Sequence, residues 1–156
     1  MKHRGWVAFS GFLWFLMGAY LLYKGLHLIT EAAFQTDSLC YRMQKAVGTP
    51  QQAATVFIAL GLFVGFLKGR FVLAKTVGRV VSRIAALPLP IRFKDAYGPA
   101  YWILIGAMMA LGMTFRFLPI AIDIRGSIDI AIGSALINGA MLYFRASRQF
   151  RTVLPT

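Results

Sequence analysis

Residues 49–68 read TPQQAATVFIALGLFVGFLK, and this stretch decides the fold class. Thr49 and Gln52 have the spacing of a capping box and Pro50 stands at the first helical position, so a helix is predicted to begin at Pro50. No charge occurs from Ala46 to Leu67, and a bilayer core of about 30 Å needs roughly 20 helical residues. The stretch therefore predicts a transmembrane helix.

Three other apolar runs have a similar length. Gly5–Tyr23 and Ala96–Phe115 are uncharged, and Ser127–Phe144 carries one charge, Asp129, with Ser127 as the predicted N-cap. The predicted spans cover about 6–26, 50–68, 99–117 and 127–145 of a single domain. The predicted fold class is therefore an all-α integral membrane protein with four transmembrane helices arranged as two hairpins.

The composition of the 156 residues excludes an ordinary soluble domain. Hydrophobic residues make up 58% and charged residues 14%, against about a quarter charged in soluble proteins. The net charge of +12 would suggest nucleic acid in a soluble chain, but here the cations flank apolar runs, so no nucleic-acid partner is expected. Cys40 is the only cysteine, which rules out a disulfide within the chain and predicts a free thiol.

The distribution of Lys and Arg predicts the orientation. With four spans, twelve of the 17 basic residues fall at one end of the helices, and four of the five acids fall at the other. Because short cytoplasmic loops retain positive charge, both termini and the loop between the second and third spans are predicted to be cytoplasmic. The basic start is expected to belong to an uncleaved signal anchor. The pattern is similar to that of many small bacterial inner-membrane proteins, which implies a multi-pass protein of a bacterial-type inner (plasma) membrane.

The loop between the second and third spans contains a basic amphipathic segment at about residues 70–87. Its aliphatic residues fall on one side of a helical wheel, and its cations share a sector on the other side. This predicts a cytoplasmic helix that either continues the second span or turns at Gly69 to lie on the inner headgroups. Anionic lipid is the predicted partner, and the alternative is that the positive charges only fix the topology. The predicted lipid-binding residues are Lys68, Lys75, Arg79 and Arg83.

The segment between the first two spans is predicted to hold a short surface helix. Asp37 or Ser38 would cap this helix, and Gly48 would end it. His27 and Glu31 are one helical turn apart and predict a surface pair. Weak similarity of residues 14–19 to 102–107, and of 58–61 to 130–133, suggests a duplicated hairpin, although apolar helices also match each other by chance.

Small and polar side chains within the spans predict how the helices pack. Glycines recur every four residues on the second span, and small residues do the same on the fourth, which allows backbones to approach closely. Packing within the bundle is expected, with a dedicated dimer interface as the alternative. Asn138, with Ser134 one turn earlier, is predicted to join helices by hydrogen bonds rather than to bind a substrate. The predicted packing residues are Gly61, Gly65, Gly69, Asn138 and Gly139.

Four charges lie close together in the sequence where the third predicted span ends and the fourth begins: Arg116, Asp123, Arg125 and Asp129. Asp129 is expected to favour the N-terminal end of its helix and to pair with Arg116, because a lone charge at membrane depth is unfavourable. Asp123 and Arg125 are expected to be solvated. The alternative is that the four charges form the mouth of a site for a small ion or substrate.

The chain has no enzyme motif. It lacks H-E-x-x-H, G-x-x-x-x-G-K-[ST], G-x-S-x-G and paired carboxylates within a span, so catalysis is not expected, and neither a metal nor another cofactor is predicted. The expected function is interaction, as an accessory or scaffold subunit that contacts anionic lipid, other membrane proteins or further copies of itself. The alternative is a small oligomeric transporter or channel, which would line a wet cavity with Asn138, Ser134 and the Arg116/Asp129 group.

Overall fold

The computed structural model describes residues 3–86, 106, 110, 113, 114, 117 and 120–153. Every element in this part of the chain is helical, which confirms the predicted all-α class for the described residues. The elements are, in chain order, α1 (His3–Ala32), α2 (Leu39–Arg42), α3 (Gln44–Val47), α4 (Pro50–Lys68), a π-helical turn (Gly69–Leu73), α5 (Ala74–Ala86) and α6 (Ile122–Val153).

Three helices of the described residues are long and apolar enough to cross a membrane: His3–Ala32, Pro50–Ala86 and Ile122–Gln149. They contain the first, second and fourth predicted spans and extend beyond them. The predicted third span lies mostly outside the described residues, and the described residues within it are helical: Gly106, Ala110, Met113, Thr114 and Phe117. Four spans and a layout of two hairpins therefore stay predictions.

The predicted capping box of α4 is confirmed. The Gln52 backbone N–H donates to Thr49 Oγ1 over 3.2 Å, and the Thr49 N–H donates to Gln52 Oε1 over 3.0 Å. Gly48 has a φ of +111°, the left-handed conformation that glycine adopts without strain. Ser38 caps the surface segment before α4, where the structure has two four-residue helices in place of one.

The start of α6 differs from the prediction. The helix begins at Ile122, so Ser127 lies inside it and donates its hydroxyl proton to the Asp123 carbonyl oxygen over 2.8 Å. Ser127 is therefore not the N-cap, and Asp123, not Asp129, lies in the first helical turn. The apolar run from Ser127 did not reveal this, because two charged residues, Asp123 and Arg125, precede the run and still belong to the helix.

The basic segment continues the second span. The helix runs from Pro50 to Ala86 without a break, through the π turn. Of the two predicted alternatives, the segment therefore continues the second span and does not turn at Gly69 to lie on the headgroups. Gly69 in the π turn and Val77 in α5 are both buried, so this continuous helix stays packed on the bundle through and beyond the π turn.

The helices are arranged around α6. α1 runs antiparallel to α6, with Gly25 against Gly126 and Gly11 against Tyr143. α4 runs parallel to α6, since Gly61 lies against Ser127, and Gly69 lies against Asn138 farther along both helices. One end of the bundle, here called the basic end, therefore holds the start of α1 and the last turns of α5 and α6. The other end, here called the distal end, holds α2, α3 and the start of α4 and α6.

Candidate functional site

Large hydrophobic side chains on the outside of the three long helices occupy one band. They run from Phe9 to Tyr23 on α1 and from Val56 to Val72 on α4 and the π turn, and they include Ile124 and Met141 on α6. With the helix alignment described above, the band extends from the level of Ile124 to about the level of Phe144 on α6. That is about 20 residues, or about 30 Å, which is the thickness of the hydrocarbon core of a bilayer.

Glycines permit the close contacts of α6. A Cβ built on Gly69 would lie 2.8 Å from the Asn138 Cβ, and one built on Gly61 would lie 3.0 Å from the Ser127 carbonyl oxygen. Gly65 lies against the backbone of Ala131. Gly139 lies between Trp14 of α1 and Leu73 of the π turn. The predicted packing glycines are thus all placed where α6 meets a neighbouring helix.

The polar side chains of α6 at the middle of the band are hydrogen-bonded to backbone. Ser134 donates its hydroxyl proton across to the Leu62 carbonyl oxygen of α4, over 3.3 Å. Asn138 donates from Nδ2 to the Ser134 carbonyl oxygen over 3.0 Å, while its Cβ packs against Gly69. The Ser134 hydroxyl therefore joins two helices, whereas the hydrogen bond of the Asn138 side-chain amide stays within α6 and does not join helices as predicted.

Asp129 pairs with a residue that the sequence did not single out. Lys24 Nζ lies 2.8 Å from Asp129 Oδ2, between α1 and α6, and the carboxylate side chain is 14% exposed. Lys24 is the first charge after the uncharged run of α1, so matching the ends of two antiparallel apolar runs would have found this pair. Arg116 lies outside the described residues, and its pairing with Asp129 stays a prediction. The surface pair of His27 and Glu31 is confirmed, with Nδ1 and Oε2 3.5 Å apart.

Asp123 is buried, not solvated as expected. It is fully inaccessible, and its Oδ2 accepts the backbone N–H of Cys40 in α2 over 2.9 Å. Burial, together with the negative charge of Asp123 and a hydrogen bond to it, raises the pKa of the Cys40 thiol from 9.0 to about 11. Cys40 is a free thiol, as predicted. Asp123 therefore fastens the surface segment to the start of α6, a long-range contact that sequence patterns do not encode.

The cations of α5 lie on its exposed side, opposite a face that other helices cover. Val77 and Ile84 are buried in a cluster with Val7 of α1 and Tyr143 of α6. The aliphatic face thus packs on protein and is not available to seat the helix on acyl chains. Exposed cations surround this end of the bundle: Arg4, Lys75, Arg79, Arg83, Arg145 and Arg148. The Ser147 hydroxyl donates to the Arg4 carbonyl oxygen over 3.3 Å and joins the two termini.

An apolar groove lies between α4 and α6 in the distal half of the band. Its volume is about 320 Å³, and its lining includes Leu60 and Val64 of α4 and Ile124, Ile128 and Ala131 of α6. Within the described residues, no group of three or more His, Cys, Asp or Glu side chains is placed to hold a metal ion.

No protein-family model, curated protein or solved structure matches this chain.

Proposed function

We propose that this chain is a small four-span membrane protein that acts by interaction, as an accessory or scaffold subunit, with a basic cytoplasmic surface for anionic lipid. The observation that carries the proposal is the packing of its polar side chains. Ser134 and Asn138 donate to backbone carbonyl oxygens, and Asp129 pairs with Lys24. A transporter or channel would direct such groups into a wet cavity, whereas the groove between α4 and α6 is lined almost entirely by apolar side chains.

The direction of the helices supports four crossings. α4 and α6 are parallel, so α5 ends at the basic end and α6 begins at the distal end. The residues between Ala86 and Ile122 therefore connect the basic end to the distal end. The uncharged run 96–115 has the length that a helical return through a bilayer requires.

The positions of the cations support contact with anionic headgroups. Lys75 lies within one turn of the edge of the hydrophobic band. Arg79 and Arg83 lie about 6 and 12 Å beyond Lys75 along the helix. The headgroup region adds roughly 5–8 Å on each side of the hydrocarbon core, and charges interact over a Debye length of about 8 Å. All three cations are therefore close enough to attract phosphates, each by about 1 kcal/mol.

The lipid contact is tested by purifying the protein in nanodiscs made from its native membrane and measuring the retained lipids by mass spectrometry. We expect phosphatidylglycerol and other anionic lipids to be enriched, and Arg79→Glu/Arg83→Glu to remove the enrichment. Arg42→Glu/Lys45→Glu is the matched control, because it makes the same change of charge on exposed residues of the distal end. Equal loss in both variants, or no loss in either, would contradict a specific basic surface.

The topology is tested with reporter fusions. We expect reporters after Met1, near Leu87 and after Thr156 to be cytoplasmic, and reporters near Gln44 and Ile124 to be external, because the cations are concentrated at the basic end. A cytoplasmic signal near Gln44 would overturn the four-span arrangement.

A further inference from the structure

Lys68 lies near the middle of the hydrophobic band. The adjacent Gly69 packs against Ala135 and Asn138, so Lys68 is about ten residues of α6, or about 15 Å, from the level of Ile124. It is about as far from the level of Phe144. Its side chain is exposed and is flanked by the exposed apolar side chains of Leu67 and Val72. Lys68 thus presents a cation toward the surroundings of the bundle at mid-depth.

A cation at this depth needs a negatively charged partner. The four-carbon stem of lysine is much shorter than half a bilayer core, about 15 Å, so the ammonium group cannot reach either headgroup layer by extension alone. Charged side chains within a membrane are therefore almost always paired or placed in a polar cavity.

The carboxylates of the described residues all lie away from Lys68. Glu31 pairs with His27, Asp129 pairs with Lys24, and Asp123 holds Cys40 at the distal end. Asp37 belongs to the surface segment, and Asp95 precedes the third uncharged run, 96–115, which contains no acid. The counter-charge of Lys68 is thus expected from another molecule.

Lys68 lies one helical turn beyond Val64, the last residue of α4 that lines the apolar groove between α4 and α6. Leu60, Val64 and Lys68 are spaced by four residues and form one ridge of α4, and the first two line the groove. Arg70 lies at the same depth, but it is on the opposite flank of Gly69, away from this ridge. A ligand in the groove therefore meets apolar side chains over the distal half of the band and then a single cation.

We propose that this groove receives a transmembrane helix of another membrane protein, one that carries an Asp or Glu at the middle of its span and places the carboxylate on Lys68. This inference rests on the proposed accessory or scaffold function and names the chemistry of the partner. The groove accepts the apolar ridge of the partner helix, and the ion pair fixes its depth and register. A second copy of this chain offers no acid at that depth among its described residues, and a lipid phosphate belongs to the headgroup layer, about 15 Å away.

The probe for this proposal is a synthetic transmembrane peptide of about 22 residues, built from Leu and Ala, with one Glu at its centre. A control peptide has Leu in place of the Glu. Binding is measured by energy transfer from a donor dye at the C-terminus of the full-length protein to an acceptor on the peptide. The vesicles contain only phosphatidylcholine, so the proposed contact of the basic end with anionic lipid contributes nothing to the result.

We expect the protein to bind the central-Glu peptide about tenfold more tightly than the control peptide, and Lys68→Leu to abolish this preference. Arg70→Leu has the same charge change at the same depth, and Lys75→Leu has it at the edge of the band, so both should keep the preference. Unchanged helical circular dichroism of Lys68→Leu shows that the exposed substitution leaves the fold intact.

Several results would overturn the proposal. One is equal binding of the two peptides, and another is a Glu preference that survives Lys68→Leu or is lost equally in Arg70→Leu. Energy transfer between differently labelled copies that depends on Lys68 would assign the groove to a second copy. Phosphatidylglycerol retention that depends on Lys68 would assign it to lipid, and a disulfide between cysteines placed at Val64 and within 99–117 would assign it to the chain's own third run.

Discussion

Replacing Gly133 by alanine tests the contact that holds α1 against α6. A Cβ built on Gly133 would lie 2.7 Å from the Gly18 carbonyl oxygen and 2.7 Å from the Leu22 backbone nitrogen. Ordinary contact needs about 3.5 Å, so the two helices have to separate by about 0.8 Å. Both neighbours are backbone atoms, and no side chain can rotate to make room. We therefore expect Gly133→Ala to strain the main helix pair of the bundle.

The magnitude follows from two opposing effects. Overpacking of this kind costs about 1–3 kcal/mol, while alanine in a helix interior is more favourable than glycine by about 1 kcal/mol. Gly78→Ala in α5 is the matched control, because a Cβ built there meets nothing within 4 Å. The control should therefore raise the free energy of unfolding by about 1 kcal/mol. The difference between the two variants isolates the overpacking, and we expect it to be about 1–3 kcal/mol.

The free energy of unfolding can be measured by titrating the folded protein in mild detergent with dodecyl sulfate and following tryptophan fluorescence and circular dichroism. Both variants and the wild type should give single transitions, with Gly133→Ala at the lowest midpoint and Gly78→Ala at the highest. If Gly133→Ala is as stable as Gly78→Ala, then α1 and α6 do not approach each other at Gly18 and Gly133, and the arrangement of the bundle is wrong.

Two further predictions concern the distal end. Asp129→Asn and Lys24→Gln should each lower the free energy of unfolding. Because the two residues form one ion pair, the double variant should lose about 1–2 kcal/mol less than the sum of the two single losses, and strict additivity would contradict this pair. The same double-mutant cycle with Asp129→Asn and Arg116→Gln tests the pairing expected from the sequence. The Cys40 thiol has a pKa of about 11 in the folded protein and 9.0 as its ordinary value, so the unfolded thiol ionises first as the pH rises. The contribution of the protonated thiol to the free energy of unfolding is therefore intact below pH 9 and is lost as the pH rises toward 11. Maleimide labelling of Cys40 should be slow in the folded protein at pH 8 and rapid after unfolding. Rapid labelling of the folded protein would contradict the burial of Cys40.

The sequence determined the elements whose causes are local. The capping box at Thr49 and Gln52 begins a helix from its own hydrogen bonds, and the apolar runs identify long helices because uncharged residues in such numbers are stable only in lipid or in a core. The pair of His27 and Glu31 is also local, since one helical turn separates them. These features could be predicted because no knowledge of neighbouring helices is needed.

The tertiary structure decided which surfaces meet. The stripe of Gly61, Gly65 and Gly69 indicated a close helix contact but not which helix makes it. The alignment of α1 with α6 along their axes brings Lys24 next to Asp129. The sequence suggested that the aliphatic face of α5 contacts lipid, but other helices of the bundle cover this face. The depth of Lys68 in the hydrophobic band follows only from its alignment with α6. Helical periodicity fixes the face on which a residue lies, whereas its partner and its depth depend on how separate helices align, and short-range sequence patterns do not encode that alignment.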